Sequence, residues 1–199
     1  MTDSSSNNMF ILNNLELTSQ EMMLLNSLIE FYKINDNFNI LQSIINGTNK
    51  ISRRTIEYFV TNYAGTNKIS FDIIEKSEIV RVYVHNSYKD QLKAHRKKYF
   101  DPFGRGIRIP YFTDTDYIIT TIGQLNFYKW FISKKIYNYC IENYDIIQKA
   151  LLDSKQGYTK KKKKNFKIKN NSKSIPLKYD YISKNNLSES GDIIVSFDF

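Results

Sequence analysis

Apolar positions recur at a helical period through most of the chain up to Asp153, with two β-like stretches set between them. Leu24, Leu25, Leu28, Ile29 and Tyr32 share one helical face, and Thr18 with Glu21 forms a capping box just before them. A helix from about Ser19 to Lys33 is expected, with Leu17 and Met22 as its hydrophobic staple. Phe38, Leu41, Ile44 and Ile45 mark a second, shorter helix that Asn46-Gly47 would end, and the two would make a helical hairpin. Ser52 opens a third, with Ile56, Phe59, Val60 and Tyr63 on one face and Gly65 as its stop.

The period then changes. Ile69–Ile74 and Ile79–Val84 are β-branched and aromatic runs, and the charged stretch Glu75–Glu78 between them predicts a hairpin. In the second run Val80, Val82 and Val84 alternate with Ile79, Arg81 and Tyr83, so one side is expected to be buried. Ser87 with Asp90 offers a helix start, and the helix would run to about Tyr99 with Lys89, Lys93, Arg96 and Lys97 along one face. Asp101-Pro-Phe-Gly-Arg-Gly106 cannot continue it, because proline lacks a donor and glycine admits unusual φ values; a loop leading into a strand over Ile107–Phe112 is expected.

After a polar loop from Thr113 to Asp116, Thr121 and Gln124 form a second capping box. It opens a long helix from Ile122 to about Tyr139. Apolar and aromatic residues surround that helix, which predicts a central, buried position. A last helix near Tyr144–Leu152 would turn Ile146, Ile147, Ala150 and Leu151 inward. The pattern therefore divides the chain into a flexible lead 1–17, a folded core 18–153, a Lys-rich linker or arm 154–190 and a possible returning strand 191–199. The expected fold class is α+β, a helix-rich single core with a small, mainly antiparallel sheet and a basic C-terminal arm.

Charge changes this picture from architecture to partner. The 199 residues carry a formal net charge of +9, with an isoelectric point near 9.4, which biases encounters toward nucleic acid, acidic proteins or anionic surfaces. A single cysteine, Cys140, excludes an internal disulfide and suits a reducing compartment. No stretch reaches the roughly 20 apolar residues of a membrane span, and Met1–Asn8 lacks a secretory pattern. An intracellular protein without membrane insertion is expected.

Two segments carry a resemblance. Ser87-Tyr-Lys-Asp-Gln-Leu-Lys-Ala-His-Arg-Lys-Lys-Tyr-Phe-Asp-Pro-Phe-Gly-Arg105 and Thr120-Thr-Ile-Gly-Gln-Leu-Asn-Phe-Tyr-Lys-Trp130, within the stretch from Ser52 to Asn143, resemble a family carried by nucleocytoplasmic large DNA viruses. Iridovirus immediate-early proteins and mimivirus-like homologues are identified with it. The resemblance implies an infected cell or a virion as the setting, and no established active site. In the family pattern a Cys often stands where this chain has Gly104, so a thiol role there is absent.

Candidate chemistry follows from the cations. Lys89, Lys93, Arg96 and Lys97, the loop residues Arg105 and Arg108, and the run Lys160, Lys161, Lys162, Lys163 and Lys164 are candidates for phosphate neutralisation, which tolerates any sequence and weakens with salt. The plainer reading is a solvated face and a solubilising tail, with Arg105 and Arg108 closing their loop against Asp101 or Asp114. The Lys run also suits a nuclear import signal. Asp114 and Asp116 are a candidate pair for a divalent metal, more simply read as a polar turn. His85, His95 and Cys140 lack the spacing of a zinc set, and Cys140 reads as a small core residue. The aromatic helix reads as core rather than as a platform for stacking bases. No P-loop, G-x-S-x-G elbow or H-E-x-x-H is present, so no catalytic residue and no cofactor are assigned.

The expected function is a non-enzymatic viral accessory protein binding nucleic acid, largely without sequence preference, or another polyanion such as an acidic protein. The alternatives are a virion or virus-factory interaction protein and a metal-dependent hydrolase using Asp114 and Asp116. The host cytoplasm, virus factory, nucleus and virion all fit as settings.

Overall fold

Amphipathic helices bury their apolar faces only by stacking on one another, and in the computed structural model of the protein they stack around one helix. The structure describes residues 17–34, 36–113 and 116–155, which fall in one compact unit. The rest of the lead, Asp114, the Lys160–Lys164 run and the 191–199 strand lie outside the described residues.

Helix α1 is Ser19–Tyr32, and its capping box forms in full: Thr18 Oγ1 accepts from the Glu21 N–H, and Glu21 accepts from the Thr18 N–H. Helix α2, Asn37–Asn46, ends on Gly47 at φ 77°, and the Asn37 amide joins the two helices by donating to Phe31 O at 2.9 Å. Ser52 caps α3, Arg53–Tyr58. The helix then widens into a π turn, Phe59–Tyr63, and finishes as a short α turn, Ala64–Thr66. Gly65 is therefore inside the helix rather than its stop; the chain leaves through Lys68 at φ 50°.

The strands form two separate antiparallel hairpins. Strands β1, Ser70–Glu75, and β2, Glu78–Tyr83, are joined by Lys76-Ser77, both at positive φ, the turn whose twist matches a two-residue hairpin. The alternation has the expected one-sided burial: Val82 and Val84 are buried and Val80 is at the margin, while the opposite face carries Ile74 and Ile79, 79% and 78% exposed; Val84 belongs to the next helix. Only the inner face is anchored, by Phe71 stacked on Tyr139 at 5.2 Å and by Glu75 paired with Lys134 at 2.7 Å. The second hairpin joins β3, Ile109–Phe112, to β4, Tyr117–Thr120; β4 was hidden in sequence by its brevity beside the polar turn.

Helix α4 is Val84–Ala94 and a 3₁₀ turn follows at Lys97–Tyr99. The expected helix to Tyr99 is thus two pieces, and it begins before Ser87. Helix α5, Ile122–Ser133, is the centre: ten of its twelve residues are buried. Tyr32 donates to its Leu125 carbonyl at 2.7 Å, and burial holds the Tyr32 hydroxyl pKa well above its ordinary value. The helix stops at Lys134; Lys135 is left-handed at φ 57° and re-aims the chain so that α6, Ile136–Glu142, buries Ile136 and Cys140. One long helix was expected here. A final helix α7, 144–155, packs on α3 through Thr55 with Gln148 and Tyr58 with the Ala150 carbonyl, and it leaves Ile146 exposed. Among the described residues no helix is long and apolar enough to cross a membrane.

Candidate nucleic-acid interface

A helix as apolar as α5 pays a penalty for each buried polar side chain that finds no partner. Gln124 and Asn126 are 2% and 7% exposed, and both find theirs in the segment from Tyr99 to Pro102. The Asn126 amide donates to Tyr99 O at 2.9 Å, and the Gln124 amide donates to Pro102 O at 3.1 Å. Tyr128 donates to that same carbonyl at 3.3 Å, and the Asp101 N–H donates to Gly123 O at 3.2 Å. Farther along, Trp130 Nε1 donates to Ser87 Oγ at 2.9 Å.

Thus Ser87 is an acceptor for α5 rather than a helix start, and Gln124 does not return to its own cap. Thr121 still caps α5 through the Gln124 N–H. The glycines belong to the same joint. A Cβ on Gly123 would meet Lys98 O at 2.6 Å, and Gly104, at φ 65°, lies so close to Gln124 that a Cβ would sit 2.6 Å from its Cδ. The close approach requires glycine at both.

Asp101 fixes the loop from within. Its buried carboxylate accepts from Arg105 Nε at 3.0 Å and Nη2 at 2.8 Å, and from the N–H groups of Phe103 and Arg105. Burial pushes its pKa up, but these hydrogen bonds outweigh it and hold the carboxyl below the ordinary range. Arg105 is thereby committed to the loop on one edge, while its side chain remains 62% exposed. Glu21 ties the other end: Tyr99 donates to it at 2.8 Å and Lys98 at 3.2 Å. With the Thr18 backbone bond as the largest cause, followed by Tyr99, its pKa falls to about 2.

What this clamp leaves outside is basic. Lys89, Arg96, Lys97 and Arg108 are exposed, with no carboxylate partner among the described residues. Lys93 stands 3.7 Å from Asp90. The end of α4 at Ala94 divides the expected single cationic face: Lys89 and Lys93 are on the helix, Arg96 and Lys97 on the turn after it. Arg96 borders one cleft at the Glu21–Tyr99 junction, and Lys98 borders a second beside Gly106 and Ile107. Lys98, which sequence spacing left unassigned, is part of this junction and lies over the Tyr99 ring. The five lysines from Lys160 to Lys164 are outside the described residues.

The joined segments are the two that carry the viral resemblance, and the wider comparison agrees with them. A model of a family of unknown function, DUF7197, matches residues 4–199. The chain belongs to this family. An uncharacterized protein, L507, of Acanthamoeba polyphaga mimivirus is 35% identical over 179 residues, which cover 86% of this chain and 69% of that protein. No solved structure matches. In this DUF7197 member the two segments meet in an internal joint, where Gly104, Gly123, Gln124 and Asn126 face the opposing segment. A signal for the joint was present in sequence, since Gly123, Gln124 and Asn126 interrupt an otherwise apolar helix and require partners.

The other candidates are engaged in the fold. The Asp116 carboxylate accepts from the Tyr117 N–H at 2.7 Å and from the Gln42 amide, as a turn residue does. Among the described residues no group of three or more His, Cys, Asp and Glu could hold a metal ion. Cys140 is fully buried, and burial pushes its thiol pKa up. His95 stacks on Phe100 with centroids 6.0 Å apart. The aromatics of α5 are core.

Proposed function

We propose that the chain is a non-enzymatic viral accessory protein that binds nucleic acid through phosphate contacts. One observation carries the reading: the clamp between α5 and residues 98–105 commits its buried polar groups to the fold and leaves Arg96, Lys97 and Arg108 exposed and without a carboxylate partner among the described residues. Ordering long cationic side chains on a ligand costs less when their backbone is already fixed. Lys89 and Lys93 extend the basic surface, and Lys160–Lys164 add general attraction. Arg105, held by Asp101, acts more as a strut than as a ligand. Because the cations are Lys-rich and no built base-reading pocket accompanies them, binding is expected to be largely indifferent to sequence. Action early in infection, as the likeness to iridovirus immediate-early proteins implies, and a nuclear or virus-factory setting belong to the same proposal.

Titration of labelled duplex and single-stranded oligonucleotides across a salt series tests it. Expected is binding at low salt whose logarithm falls linearly with log salt, by about 0.9 per phosphate contacted on duplex. Failure of both nucleic acids to bind at low salt removes the reading.

A second reading, a docking protein of the virion or virus factory, is favoured by the outer face of the first hairpin. Ile74 and Ile79 lie opposite one another there, beside the Arg81–Asp72 pair and Tyr83, all exposed. Co-purification with particles that survives nuclease and is lost in Ile79→Lys would favour it over the first.

A further inference from the structure

His85 stands apart from the basic surface, at the π turn. A π turn interrupts the regular helical ladder and often marks a functional site. Here the Val60 carbonyl, within that turn, lies 3.0 Å from His85 Nδ1. A carbonyl only accepts, so Nδ1 carries the proton. Nε2 then has no partner among the described residues, yet it is not a buried unsatisfied atom, so it opens to solvent. The imidazole lies flat against Gly65, where an added Cβ would come within 3.1 Å of the ring. Glycine at this point lets the ring sit down on the helix.

His85 borders a cleft of about 260 Å³. Its polar lining is Lys68, Tyr83, His85 and Asn86, its apolar lining Ala64 and Ile69, and among the described residues no carboxylate lines it. Lysine, a phenol and an amide present donors, beside the apolar Ala64 and Ile69. With Nδ1 protonated, Nε2 is an acceptor, as the Asn86 carbonyl oxygen and the Tyr83 hydroxyl can also be, so a ligand that brings a donor as well as negative charge is matched here. A ligand that satisfies this set carries negative charge, an apolar body and a titratable proton. A phosphate monoester has all three, since its second proton leaves near pH 6 and can rest on a non-bridging phosphate oxygen or on Nε2.

We propose that this cleft is a binding site for a small organic phosphate monoester, with Lys68 and Asn86 holding the phosphate, His85 Nε2 sharing its proton, and Ala64 and Ile69 beside the organic group. The site is distinct from the basic surface and stands or falls without it.

The chain has two histidines, so their ring signals in proton–carbon spectra of the full chain are separable, and His95, stacked on Phe100, serves as the internal control. Phenyl phosphate is the probe. It should shift the His85 signals saturably and leave those of His95 in place, with inorganic phosphate and phenol each binding about tenfold more weakly. Lys68 is exposed and anchors nothing in the core, so Lys68→Ala should fold and bind phenyl phosphate about tenfold more weakly. Gly65→Ala, which pushes on the ring, should weaken binding while leaving the lysine in place. An absent His85 shift, parallel shifts at His95, phenol binding as tightly as phenyl phosphate, inorganic phosphate binding as tightly as phenyl phosphate, or an unchanged affinity in Lys68→Ala would each overturn the proposal.

Discussion

Glu21 shows how much one side chain carries. It caps α1 by accepting from Thr18 and holds the 3₁₀ turn by accepting from Tyr99 and Lys98. Its folded pKa of about 2 lies below the ordinary 4.5, so its stabilising effect is present above about pH 4.5 and is lost as pH falls toward 2. Glu21→Gln should cost about 1–2 kcal/mol at neutral pH and flatten the stability profile in that acid window, as urea melts at a series of pH values would read. A profile as steep as the wild type's would place the acid sensitivity elsewhere, with Asp101 the next group to test. Gly104 offers a sharper measurement, because two penalties can be separated. Left-handed backbone costs a non-glycine residue roughly 1–2 kcal/mol, and displacing Gln124 from Pro102 breaks a buried hydrogen bond worth about 1 more. Gly104→Ala should therefore cost about 2–3 kcal/mol in the native chain and only the backbone share in a Gln124→Ala background. A double-mutant cycle reads the difference.

At the scale of elements, local signals were legible and tertiary ones were not. Thr18 with Glu21, Asn46-Gly47 and Ser52 mark helix ends because caps act within one turn, and the structure has all three. The end of α4 was not legible: the run from Ser87 to Tyr99 contains no breaker, and what stops the helix is the grip of Asn126 and Gly123 on residues 98–101. Nor was the break after α5, since Lys134-Lys135 is compatible with a helix, and the α6 side chains select the kink by burial. The alternation of the first hairpin was legible, since Val82 and Val84 are buried on one side; what it could not show is that the apolar Ile74 and Ile79 of the outer face have no cover within the described residues. The kink has a measurable cost. Lys135 sits at φ 57°, where glycine carries no penalty, so Lys135→Gly should raise stability by about 0.5–1 kcal/mol, seen as a melting temperature higher by a few degrees. Lys134→Gly, at φ −84° and bonded to Glu75, should lower it instead.

Charge belongs to the whole molecule, and here sequence gave its amount but not its arrangement. The +9 total is a sum over a folded part and the Lys160–Lys164 run, which the structure does not describe. The two sources predict different behaviour. Cations on the folded part make a set number of phosphate contacts, whereas a run of lysines adds attraction of broadly similar strength to any polyanion. Replacing Arg96, Lys97 and Arg108 together by alanine should reduce the duplex salt slope by up to about 2.7, three contacts at roughly 0.9 each, and should narrow any preference between duplex and single strand. Replacing Lys160–Lys164 should weaken binding to heparin, duplex and single strand in nearly equal proportion. If the triple variant binds DNA with an unchanged slope while the Lys-run variant loses all of it, the folded frame is not an interface. Its exposed arginines are then only the solvated rim of the joint that holds residues 98–105 on α5.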